Sequence, residues 1–247
     1  MFALFSSTGY KVRTTRAMDD IEAAQRLRYE IFNLELGEGL AESRERGLDA
    51  DPFDKQCDHL IIEESKTGIV VGTYRLQTGA IAKAGLGYYS AQEFDFSPYE
   101  PLRDGILELG RACIHKDHRK RAVLDLLWRG IAGYASASGC RYLLGCSSLT
   151  SQEPAEGWGL FRQLEANHLA PPGLRTSPIG NFRMPEPGGV FQKVKTPKLF
   201  AAYLGVGAVI AGPPALDREF KTIDFLTILD LAKTSVAGKK HFLKEHG

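Results

Sequence analysis

The chain has no excess of either charge: 31 lysines and arginines stand against 30 aspartates and glutamates. Without an overall positive field there is no footprint for a nucleic-acid backbone, so any charge-driven binding has to be local. Cysteine is scarce. Cys57, Cys113, Cys140 and Cys146 form no CxxC pair and no paired cysteine–histidine set, which argues against a zinc knuckle and a redox dithiol and leaves four reduced thiols acting as small core hydrophobes. Long apolar runs are missing as well. The longest, Leu199 to Pro214, is broken by Tyr203, by glycines and by Pro213-Pro214, and falls short of the roughly 20 apolar residues a spanning helix needs. The opening MFALFSSTGYKV lacks the basic start, long apolar core and small-residue cleavage site of a signal peptide. The expectation is a cytoplasmic protein that does not cross a membrane and binds no nucleic acid.

What is present is ordinary globular composition, 43% hydrophobic and 25% charged over 247 residues, enough chain to bury a large core. No repeat or low-complexity tract divides it, and the Pro/Gly clusters at 171–189 and 212–214 read as loops, so one domain over 1–247 is expected. Alternation predicts a strand over 10–16, followed by a helix capped by Asp19 or Asp20 with Ile21, Ala24, Leu27, Ile31 and Leu34 at helical spacing. Strands over 58–63 and 69–77 flank a short turn containing Gly68 and pair antiparallel. A buried strand over 106–114 is interrupted by Gly110, where a bulge is expected. It leads into a helix over 119–138, capped by Asp117 and ended by Gly139, and then a strand over 140–147 that runs parallel to it. Helices over 155–167 and 197–204 and strands over 206–211 and 223–230 complete a seven-strand order, β-α-β-β-β-α-β-α-α-β-β.

Motifs follow one another along this order: Arg28 to Phe32 (RYEIF), Asp51 to Asp54 (DPFD), Cys57 to Leu60, Gly72 to Leu76 (GTYRL), Glu108 to Arg111 (ELGR) and Leu127-Trp128, with a C-terminal stretch from Pro197 to Leu226. In this order they resemble the GNAT-like N-acyltransferases, in the branch of bacterial ornithine N-acyltransferases and long-chain N-acyl amino acid synthases. More distantly they resemble acyl-homoserine-lactone synthases. The resemblance covers nearly the whole chain. It implies an α/β (α+β) three-layer sandwich with a mixed, mostly antiparallel central sheet. It also implies transfer of a long-chain, 3-hydroxylated or plain, acyl group to a small amino acid, with ornithine the first choice.

Acyl transfer to an amine requires a deprotonated amine, a donor for the developing oxyanion and a proton for the leaving thiolate. A carboxylate in an apolar strand is costly unless paired or functional, which makes Glu108 the candidate base and, as the alternative, a structural partner of Arg75 or Arg111. The resemblance further implies a charge network of Arg28, Asp51, Asp54, Arg75 and Arg111, and an oxyanion donor in the backbone of Ala112 or Cys113. No residue is assigned as the acid. His59 and His115, which flank strands, suit surface or core roles better than general-base catalysis. Phe32, Tyr74 and Trp128 are candidates for an acyl pocket or for ordinary core.

Acetyl-CoA users of this fold hold the pyrophosphate on a glycine-rich loop at a helix start. Here that position reads Asp117 to Val123 (DHRKRAV), without glycine but with His118, Arg119, Lys120 and Arg121. Positive charge opposes the dipole at a helix start, so this basic patch suits a ligand, namely the phosphopantetheine and acidic surface of acyl carrier protein. Expected co-substrates are therefore acyl-phosphopantetheine on carrier protein, or acyl-CoA, with no tightly bound cofactor and no metal. Contact with a membrane surface fits a lipid product. The competing readings are a conventional acetyl-CoA acetyltransferase and a non-enzymatic carrier-protein or lipid-binding module.

Overall fold

The computed structural model describes residues 5–7, 9–188, 191 and 193–234, so the expected domain range of 1–247 extends outside the described residues at both ends. One nine-stranded sheet runs through them: β1 (Phe5–Ser7), β2 (Tyr10–Thr15), β3 (Asp58–Glu64), β4 (Val70–Thr78), β5 (Ile106–Ile114), β6 (Tyr142–Leu149), β7 (Val209–Ile210), β8 (Ala215–Asp217) and β9 (Thr222–Asp230). The spatial order is β1-β2-β3-β4-β5-β6-β9-β7, with β8 also on β9. Every pairing is antiparallel except β5 with β6. The expected mixed sheet is present, with two more strands than the sequence pattern gave. β1 and β8 are three residues long, too short for a periodicity signal, and the run 206–211 contributes strand only at Val209–Ile210.

Six helices cover the faces: α1 (Met18–Tyr29), α2 (Ser43–Arg46), α3 (Gly79–Ala84), α4 (Arg121–Ala137), α5 (Pro154–His168) and α6 (Lys198–Gly205). Among the described residues no helix is long and apolar enough to cross a membrane. Ala17 occupies the N-cap of α1 without a side-chain cap, and Asp19 and Asp20 lie in the first turn, where they favour the dipole. After Tyr29 the helix widens into a π-helical stretch, Glu30–Leu36. This shifts the side-chain phase and leaves Leu34, expected on the buried face, 65% exposed. Asp117 likewise lies in a separate 3₁₀ turn, Lys116–His118, and α4 begins at Arg121 with Lys120 at its N-cap.

Val123, Leu127, Trp128 and Ile131 of α4 pack on Leu60, Tyr74, Leu107 and Leu143 to form the core on one face. The other face carries Ile106, Leu144, Leu226 and Ile228 against the segment from Tyr88 to Tyr99, and Cys113 against Leu27, Ile31 and Phe32.

Two irregularities of β5 open this sheet. Thr73 pairs with Cys113 but Arg75 pairs with Gly110, so Arg111 and Ala112 bulge opposite Tyr74 alone. The positive φ falls on Arg111 (50°), one residue beyond the expected Gly110. The bulge turns Glu108 and Arg111, three apart, toward the same face. The second irregularity is that β5 and β6 pair only from Ile106↔Tyr142 to Glu108↔Leu144 and then diverge. At the point of divergence Gly145 lies against β5, where an added Cβ would be 2.1 Å from the Leu109 carbonyl oxygen. Gly145→Ala is therefore expected to lower unfolding free energy by about 1–3 kcal/mol in urea titration, because a strand has to move. A change below ~0.5 kcal/mol would mean that the strands can part freely there.

Candidate active site

Where β5 and β6 part, a cavity of about 340 Å³ opens. Toward α4 and α6 its wall is apolar: Leu109, Ala112, Trp128, Ile131, Leu143 and Tyr203. Toward α1 and the Tyr88–Tyr99 segment it is polar: Arg75, Tyr89, Ser90, Glu108, Arg111 and Asp224. Glu108 is buried (4% exposed), and its two carboxylate oxygens accept the backbone N–H groups of Tyr89 and Ser90, each at 2.8 Å. It makes no ion pair with Arg75 or Arg111. Burial raises its pKa against the opposing pull of those amides and of the Arg75 charge. This combination, a solvent-shielded carboxylate at a cavity wall with its pKa raised, equips a group to accept a proton from a substrate.

The expected charge network forms and is larger than expected, because Asp49 joins it. Arg28 forms an ion pair with Asp49 at 2.8 Å and bonds Asp54 at 2.6 Å, Arg75 bonds Asp51 at 2.6 Å and Asp54 at 3.1 Å, and Arg111 bonds Asp51 at 3.0 Å and lies in ion-pair range of Asp49 at 3.3 Å. Three cations thus meet three anions, with no side chain more than 8% exposed. Asp51 and Asp54 hold position through a capping box around the turn Pro52–Lys55, which explains their three-residue spacing. Burial works to raise both carboxyls, but the guanidinium groups outweigh it and lower them, Asp54 beside Arg28 most strongly. Carboxylates held ionised in this way make poor bases. Arg111 lies over the rings of Tyr89 and Phe220 at 5.1 and 4.4 Å, and Arg75 lies over those of Phe53 and Tyr89. Only Arg75 and Arg111 of the six reach the cavity.

Phe32, Tyr74 and Trp128 all line it, as does Ala112, whereas Cys113 is turned into the core under α1. Beyond Glu108 the β5 edge facing β6 has no strand partner, and Leu109, Gly110, Arg111 and Ala112 line the cavity there. The basic patch stands apart from it at the start of α4. His118 bonds the Tyr10 hydroxyl at 2.9 Å, Arg119 pairs with Glu35 at 2.6 Å, Arg121 lies 3.8 Å from Asp125, and Lys120 is exposed. His59 is wholly buried against the Asp54 carbonyl at 2.9 Å, and burial lowers its pKa. All four cysteines are free.

Sequence reasoning missed two features. Tyr203 shares a hydroxyl–hydroxyl hydrogen bond with Tyr74 on the cavity wall and stacks on Trp128 at 6.1 Å. Burial raises both phenols, so they present neutral O–H groups. The second is a set of buried acids beside Glu108, namely Glu38, Glu93, Asp217 and Asp224. Burial raises Glu38 to about 7 and Asp224 to about 6, and Glu93 rises through burial and the neighbouring Asp224 charge. Tertiary packing alone brings these residues together, and none of them has telling sequence spacing.

A sheet parted at a bulged central strand, with a carboxylate in the gap, defines an acyltransferase of the GNAT fold. The model of the acetyltransferase (GNAT) domain matches residues 27–129, the span from Arg28 to Trp128 that includes Glu108 and Arg111. Over the longer span, the L-ornithine N(alpha)-acyltransferase of Rhodobacter capsulatus is 33% identical, covering 94% of this chain and 93% of its own. That of Agrobacterium fabrum is 31% identical, covering 96% and 85%. The chain belongs to the family of these L-ornithine N(alpha)-acyltransferases. Among solved structures, FeeM, an N-acyl amino acid synthase from uncultured soil microbes, superposes with a TM-score of 0.54 at 11% identity, covering 95% of each chain. The acyl-homoserine-lactone synthase LasI gives 0.53 at 14% identity over 96% of this chain and 98% of its own. These two share the fold.

Proposed function

We propose that the protein moves a long-chain acyl group, plain or 3-hydroxylated, from acyl carrier protein to the α-amino group of ornithine. The observation that carries this reading is Glu108, buried at the meeting point of the apolar and polar walls of one cavity. The acyl thioester takes the apolar side, between Trp128, Leu143 and Tyr203, and the amino acid takes the side of Glu108. Glu108 accepts a proton from the ammonium, directly or through water. The freed amine attacks the thioester carbon, and the backbone amides of the bulge beside Ala112 hold the oxyanion. The attack forms the C–N bond, and collapse of the tetrahedral intermediate breaks the C–S bond. The second amine proton leaves with the thiolate.

Relatives that carry out ornithine N(alpha)-acylation by name support the acceptor. The glycine-free, basic start of α4 supports a carrier-protein donor over a pyrophosphate-bearing one. Charge reversal of Lys120 and Arg121 to glutamate is expected to raise KM for acyl carrier protein about tenfold, with kcat and the KM for ornithine kept. Unchanged KM in steady-state assays at low salt would remove the patch from donor binding. The primary test supplies purified protein with 3-hydroxypalmitoyl carrier protein or acetyl-CoA and a pool of amino acids, with products identified by mass spectrometry. Acyl-ornithine formed only from the carrier donor is the expected result. Acetylated amine instead would assign a conventional acetyltransferase, and no product from any donor would leave a non-enzymatic binding module.

A further inference from the structure

The acids beside Glu108 stand unbalanced. Arg111, whose charge reaches Glu93, is already paired with Asp49 and Asp51. Asp217 is satisfied by the backbone N–H groups of Glu219 and Phe220 at 2.9 and 2.8 Å, and Glu38 accepts the Thr150 hydroxyl. Asp224 differs. It lines the cavity at 4% exposure, its Oδ2 accepts from Thr222 at 3.2 Å, and Ser148 and Glu93 also lie within hydrogen-bonding reach of the carboxyl, yet its Oδ1 is buried without a hydrogen-bond partner of its own among the described residues. Oε1 of Glu93, 1% exposed, lacks a donor too. A buried carboxylate oxygen left unbonded at a cavity wall is expensive unless a ligand fills the position.

The separation from Glu108 is short. The Ser90 amide bonds Glu108, the Ser90 hydroxyl lies 3.5 Å from Cys146 Sγ, Cys146 Sγ lies 3.8 Å from Glu93, and oxygens of Glu93 and Asp224 lie with that sulfur inside 4.8 Å. One residue thus bridges two carboxylate stations on the same side of the sheet. We propose that Asp224, with Glu93 and Glu38 beside it, is the subsite for the second, non-reacting ammonium group of a diamino acid acceptor, and that it sets the preference for diamino over neutral amino acids. This rests on the reading of the cavity as the acceptor site. An ammonium brings both the missing donors and the missing positive charge, whereas a metal ion at Glu93, Cys146 and Asp224 would require a thiolate. Burial and the neighbouring Glu93 charge instead raise the Cys146 thiol far above its ordinary range.

The test has two independent readouts. In the first, acyl transfer is compared for ornithine and for norvaline, which has the same carbon chain without the distal amine. Wild type is expected to prefer ornithine by about 10²-fold or more in kcat/KM, since a site with buried partners rejects an analogue that leaves them unpaired. Asp224→Asn, and separately Glu93→Gln in case the first variant folds poorly, is expected to cut that ratio at least tenfold, mainly through KM for ornithine. The second readout uses no acyl donor: ornithine, but not norvaline, raises the melting temperature of wild type, and D224N loses the shift. Equal use of both amino acids by wild type, or an unchanged ratio in the folded variants, overturns the subsite while leaving the acyltransfer reading intact. Ornithine binding that depends on Asp224 without transfer to any amine keeps the subsite and overturns that reading instead. A melting shift with Zn²⁺ or Mn²⁺ that D224N abolishes, and none with ornithine, overturns the proposal in favour of a metal site.

Discussion

Glu108→Gln is expected to lower kcat/KM for amine acylation by about 10²- to 10⁴-fold, the usual contribution of a positioned general base. Glutamine keeps the shape of the side chain, and its carbonyl oxygen can still accept one of the two amides that glutamate holds at 2.8 Å. The other amide loses its acceptor, a cost of about 1–3 kcal/mol. That corresponds to a melting temperature lower by no more than about 12 °C for a chain of this size, so the variant can be assayed folded. The pH profile separates catalysis from support. Burial raises the Glu108 pKa in the folded protein; below that pKa the carboxyl is protonated and cannot accept a proton. Wild-type kcat/KM therefore climbs with pH through this value. The variant should lose this limb and keep only the dependence set by the free-amine fraction of the acceptor. A glutamine variant within threefold of wild type, with the limb intact, would reduce Glu108 to an anchor for the Tyr89–Gln92 turn.

Arg28→Met is expected to cost about 3–5 kcal/mol in unfolding free energy, with a melting temperature lower by roughly 6–20 °C. Arg28 is 0% exposed and binds Asp49 and Asp54, so its removal leaves buried anions partly uncompensated. Its distance from the cavity means the loss should appear as stability first, with KM for either substrate little changed at temperatures where the variant is folded. Adding Asp54→Asn should cost less than the sum of the two single changes by at least ~1 kcal/mol, since the second substitution removes a charge the first left stranded. A loss below 1 kcal/mol for the single variant would show that water or rearranged side chains compensate the anions.

The fold was readable where periodicity is long: α1, α4, α5 and strands β3 to β6 and β9 each announce themselves by spacing. Glu108 and Arg111 were readable for a related reason, since charges inside an apolar strand stand out. The bulge was misplaced by one residue because glycine is the conformationally free residue there, while Arg111 takes the positive φ and is held by its ion pairs with Asp49 and Asp51. Asp49 itself escaped notice in a polar stretch that looks like loop. Glu38, Glu93, Asp217 and Asp224 come from four separate segments; Asp217 and Asp224 lie in the C-terminal stretch that carries the resemblance, but only tertiary packing makes the four neighbours. Tyr203 was read as part of a helix whose partner was unknown; its role as wall depends on α6 meeting α4 on the same face of the sheet.

The parting of β5 from β6 has a mechanical meaning. Three register pairs join these strands, whereas eight join β6 to β9, so the sheet behaves as two stiff leaves on a narrow spine. On the proposed reading both substrates sit between the same leaves. A thicker acyl chain on one side would then widen the angle felt by the amine on the other, coupling the grip on cargo to the aim of the nucleophile.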